Sequence, residues 1–86
     1  RNARSKERKV FQQRVKNIEE EIATLEKEQA DLVAEIEKPE TYFEKTGRAA
    51  EINWRLSELA DEIPKKMSEW EAAAAALEAF DAENQG

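Results

Sequence analysis

Eighty-six residues, 40% of them charged, with two glycines, no cysteine and no histidine, bound this chain to one small domain of long-helix composition. Without His or Cys it has no zinc site, no disulfide and none of the usual His- or Cys-based catalytic constellations, and a chain this short buries too little surface for a roomy enzyme pocket. The net charge of −6 is unevenly spread: residues 1–16 hold seven cations (Arg1, Arg4, Lys6, Arg8, Lys9, Arg14 and Lys16) against Glu7, while the other 70 residues hold seven cations and nineteen acids.

No apolar run approaches the ~20 residues of a membrane span. The basic N-terminus is not followed by the apolar stretch of a signal peptide, so a soluble, intracellular protein is expected. Beginning at RNARSKERK without Met, the sequence reads as a fragment of a longer chain.

From Phe11 the apolar residues fall at Phe11, Val15, Ile18, Ile22, Leu25, Leu32 and Ile36, the spacing of a heptad seam, with polar Gln29 in the one skipped position. Good helix formers fill the other faces, which predicts a first helix over about 4–37. The stretch KPETYFEKTG then breaks the pattern. Pro39 disfavours helical geometry at Lys38, and Gly47 supplies a flexible joint. Thr41 and Glu44 have capping-box spacing, but Thr46 is the expected cap of the next helix. Tyr42 or Phe43 is expected to fold back and plug the end of the seam.

The second helix is expected over about 47–82, with a seam of Ala49, Ile52, Leu56, Leu59, Ile63, Met67, Trp70, Ala74 and Leu77. The two steps of four around Ile63 and Met67 read as a stutter. Pro64 lies inside it and predicts a kink rather than an end, because the seam resumes in phase beyond it. Folding back about the tip gives an all-α, two-helix antiparallel coiled-coil hairpin. In that register Leu32 and Ile36 meet Ala49, Ile52 and Leu56; Ile22 and Leu25 meet Leu59 and Ile63; and Phe11 and Val15 meet Trp70, Ala74 and Leu77. The basic N-terminal end then lies beside the acidic C-terminal end. Both ends oppose their helix dipoles, which cross-hairpin pairing would offset.

No catalytic or metal-binding residues are expected, and the carboxylate runs read as solvated helix faces. The basic end has two readings. Arg4, Lys6, Arg8, Lys9, Arg14 and Lys16 form a candidate nucleic-acid surface of phosphate-contacting cations. Alternatively they only neutralise the acidic helix end, and the hairpin is a structural or protein-interaction element. Outward-facing Trp54, with Tyr42 and Phe43 at the tip, is the candidate partner-contact surface, since such residues stack on bases or fill partner pockets. The isolated chain is expected to be a monomer or a weak homodimer.

The basic lead-in SKERKVFQQRVKNIEEEIATLE, the heptad helix, the Pro39-Glu-Thr-Tyr42 tip and the seam Trp in SEWEAA together resemble the C-terminal coiled-coil domain of the ABC-F ATPases, in particular the Uup-like group. Where that family usually has Asp-Pro at the tip this chain has Lys38-Pro39, and Pro64 is a further departure. The resemblance implies a cytoplasmic bacterial parent whose two nucleotide-binding domains hydrolyse ATP with Mg and have no membrane-spanning part. It also implies that the hairpin, which itself needs no cofactor, joins the second of those ATPase domains through its basic end. Members of the family act on ribosomes in translation, and the Uup-like ones are associated with DNA binding through this domain. Pro39, Tyr42 and Trp70 match the family pattern, with structural roles.

Overall fold

The structure, a computed structural model, describes residues 2–84. Its elements are α1 (Asn2–Ile36), α2 (Pro39–Phe43) and α3 (Arg48–Glu83). The two long helices lie antiparallel as the expected all-α hairpin, 64 Å long and less than 20 Å across. The short α2 forms the tip.

Every expected seam residue of α1 turns toward α3. Ile18 is buried, and Phe11, Val15, Ile22, Leu25, Gln29, Leu32 and Ile36 are half-buried. In heptad terms Val15, Ile22, Gln29 and Ile36 take position a, and Phe11, Ile18, Leu25 and Leu32 take position d.

The seam of α3 differs from the expectation beyond Ile63. Ala73 is buried there, Lys66, Trp70, Leu77 and Phe80 are half-buried as is the expected Ala74 at the edge of the contact, and Met67 is 43% exposed. Spacing by alternate threes and fours therefore runs without interruption from Ala49 to Phe80, and there is no stutter. Position a is Ala49, Leu56, Ile63, Trp70 and Leu77; position d is Ile52, Leu59, Lys66, Ala73 and Phe80. Lys66 keeps a seam position because its aliphatic stem lies along the contact while its ammonium reaches carboxylates at the edge. Ile52 and Leu59 are fully buried and anchor the half of the hairpin nearest the tip.

α3 runs through Pro64 without a break. Pro64 and Ala60 are both exposed, so the Ala60 carbonyl, deprived of its helical donor, can turn to water instead of being buried unpaired.

At the tip, Lys38 is extended and Pro39 opens α2, where a missing N–H costs nothing. Neither threonine caps as expected. Gly47 is the N-cap of α3, in the left-handed region at φ 78°, and no side chain caps that end. Thr41 is instead buried at 1% exposure, and its hydroxyl donates to the Glu35 carbonyl at 2.6 Å. The Lys38 N–H donates to the same carbonyl at 3.1 Å, so the tip satisfies one of the carbonyls that α1 leaves open at its end. Tyr42 and Phe43 do not plug the seam: they are 58% and 87% exposed, and Thr41 holds the inner position.

Candidate nucleic-acid interface

The two edges of the seam carry different chemistry. In an antiparallel pair, position g of one helix faces g of the other, and e faces e. On the g edge Arg48 grips Glu35 with two bonds of 2.6 and 2.8 Å, and Arg55 grips Glu28 in the same way at 2.6 and 2.8 Å. Glu62 and Glu58 add carboxylates 3.4 and 3.5 Å from Arg55. Lys66 bridges Glu21 and Glu69. Hydrogen bonds from the arginines hold the Glu28 and Glu35 carboxyls below their ordinary range, and the Arg48 and Arg55 guanidinium groups are pushed up in turn. The e edge of α3, by contrast, is Asn53, Ala60, Met67 and Ala74, ending in Asp81, and makes no ion pair before Asp81 among the described residues.

At the open end the basic turns of α1 do lie beside the acidic end of α3. Phe11 packs on Phe80 with ring centroids 5.1 Å apart, one heptad step beyond the Leu77 expected there. Arg8 clasps Asp81 through two bonds of 2.8 and 3.1 Å, which holds the Asp81 carboxyl below its ordinary range. Arg8 is thus the member of the proposed set that is spent on the neighbouring acidic end. Arg4, Lys6, Lys9, Arg14 and Lys16 are all exposed, and none makes an ion pair with another described residue. Arg1 lies outside the described residues.

The contrast with the hairpin body is sharp. From Glu19 to the end of α3, Lys27, Arg48, Arg55 and Lys66 are all paired with carboxylates, and only Lys38, Lys45 and Lys65 are not. Five unpaired cations within four turns of one helix therefore make a local positive surface on an otherwise acidic rod. Lys9 and Lys16 share heptad position b and Lys6 takes position f, so these three project away from α3, while Arg14 flanks the seam at position g and Arg4 continues the d line one heptad before Phe11.

Trp54 is 71% exposed on the outward side of α3, where the sequence puts it. Tyr42 and Phe43 are likewise exposed and lie at the tip, at the opposite end from the cations. Thr41 and Phe80 were missed. Phe80 is recoverable by continuing the heptad three residues past Leu77, but no local pattern marks Thr41. Among the described residues no group of His, Cys, Asp or Glu gathers as a metal site, and no helix is long and apolar enough to cross a membrane.

The architecture is that of a coiled-coil hairpin: two long helices, a short tip, and open grooves along the seam in place of an enclosed cavity. The chain belongs to the ABC transporter C-terminal domain family, whose model matches residues 6–75, from the basic turns of α1 through the tip and past Trp70. No curated protein and no solved structure gave a match.

Proposed function

We propose that this hairpin is the non-catalytic C-terminal appendage of a cytoplasmic ABC-F-type ATPase and that its basic end contacts nucleic acid, either DNA or ribosomal or transfer RNA. The observation that carries the reading is the set of unpaired cations, Arg4, Lys6, Lys9, Arg14 and Lys16, on a rod whose other cations are mostly neutralised. Membership of an ABC C-terminal domain family supports the parent ATPase. Such cations displace the counterions condensed on the phosphates of a nucleic acid, so binding must weaken steeply with salt. Five contacts correspond to a slope of about −4.5 in log K against log salt for duplex DNA.

The test is fluorescence anisotropy of labelled duplex DNA, branched DNA and structured RNA with the 86-residue chain at several salt concentrations. Binding that falls with salt, and is lost when all five cations become Gln, is the expected outcome. Arg8→Gln should leave the slope nearly unchanged, because Asp81 already neutralises that side chain. Unchanged affinity in the quintuple variant overturns the assignment.

A second reading rests on Trp54, which is 71% exposed. In it the outward face of α3 docks on protein, such as the parent's ATPase domains, and Trp54→Ala breaks that complex without changing helicity.

A further inference from the structure

The outer face of α1 on the e side of the seam, formed by positions e and b, is its own complement. In chain order it presents Ser5, Lys9, Gln12, Lys16, Glu19, Ala23, Glu26 and Ala30, all exposed. The four residues before its midpoint are small, basic, neutral and basic; the four after it are acidic, small, acidic and small. Reversing the helix about a point between Lys16 and Glu19 sets Lys16 against Glu19, Gln12 against Ala23, Lys9 against Glu26 and Ser5 against Ala30.

A twofold contact requires this property, since one patch must meet an identical patch turned end for end. We propose that this face is the interface of a homodimer in which two hairpins pack α1 against α1 in antiparallel register, with Lys9 and Lys16 of each copy paired to Glu26 and Glu19 of the other.

Three observations converge on a second copy as the occupant. The four charged residues make no ion pair within the described residues of the monomer, although the g-edge carboxylates Glu21, Glu28 and Glu35 are all engaged. The charge order is antisymmetric about one point, which a contact with an unrelated chain has no reason to produce. Ser5, Ala23 and Ala30 are small and leave room for the partner's longer side chains along a face that runs about 38 Å of α1.

Beside this face lies an open groove of about 370 Å³ whose wall includes Ile22, Ala23, Met67 and Trp70, and whose rim carries Glu19 and Glu26. The aliphatic stems of the partner's Lys9 and Lys16 are suited to cover it while their ammonium groups reach the rim. The inference does not depend on nucleic-acid binding. Where both operate they compete for Lys9 and Lys16, so the test omits nucleic acid.

The experiment is sedimentation equilibrium of the 86-residue chain and two variants at low salt, with circular dichroism to check helicity. K9E/K16E makes the face wholly acidic, and E19K/E26K makes it wholly basic. The parent chain should approach twice its 9.9 kDa mass and fall toward monomer as salt rises. Each variant alone should remain monomeric, and an equimolar mixture of the two should recover the dimer. A monomeric parent, a variant that dimerises alone, or a mixture no heavier than its components overturns the proposal.

Discussion

Replacing Leu59 and Met67 separately by Ala tests which residues of α3 carry the hairpin. Leu59 is fully buried at position d, whereas Met67 sits at position e and is 43% exposed. Truncating a buried Leu removes its transfer free energy and leaves a cavity, at a cost of 2–5 kcal/mol; about 3 is appropriate where a slender two-helix contact can partly close. Met67 already shows nearly half its surface to water and its loss leaves no enclosed void, so its truncation should cost about 1 kcal/mol or less. For 86 residues the whole stability is of order 4–13 kcal/mol, so the first change removes a large share of it and the second does not. Urea unfolding followed by helical circular dichroism reads the difference. With a denaturant slope near 1.5 kcal/mol per molar, Leu59→Ala should lower the midpoint by about 2 M and Met67→Ala by about 0.7 M or less. A Leu59 variant that unfolds without urea, beside a stable Met67 variant, leads to the same conclusion. Equal costs would place Met67 on the seam and refute the unbroken heptad.

Thr41→Val keeps the shape of the buried tip residue but removes the donor to the Glu35 carbonyl, which retains the Lys38 N–H; unfolding free energy should fall by about 1 kcal/mol. Gly47→Ala meets no neighbouring atom, yet it places a Cβ at a left-handed φ, and a loss of about 1 kcal/mol in thermal or urea unfolding should follow, with Gly47→Asn milder. The Glu28 and Glu35 carboxyls are depressed in the folded state by Arg55 and Arg48, so their contribution is present above the unfolded carboxylate range near 4.5 and is lost as pH falls through the lower folded values. The difference in Tm between pH 7 and pH 3 should therefore shrink in E28Q/E35Q relative to the parent, and an unchanged difference would mean that these pairs do not stabilise the hairpin.

Much of this molecule was legible in the chain because helix propensity, apolar spacing and the Pro39 break are local properties. They predicted two long helices, their reversal at the tip, Gln29 as the polar layer of α1, and Trp54 on the outside. The basic end was equally plain as a run of charge. Which of its cations are free was not, because the fate of Arg8 depends on Asp81, 73 residues away.

The same limit explains the errors along α3. Choosing the apolar residue at each step selects Met67 and Ala74, whereas the helix rotates to offer Lys66 and Ala73, since a lysine stem can line a seam when Glu21 and Glu69 receive its charge. Thr41 enters the interior only because the end of α1 leaves a carbonyl within its reach. Sequence by itself determined the helices, the turn between them and the distribution of charge along the rod. Only the tertiary structure decided which face of α3 meets α1, which charges are spent on pairing and which remain available to a partner, because those outcomes depend on residues that approach one another only after the hairpin closes.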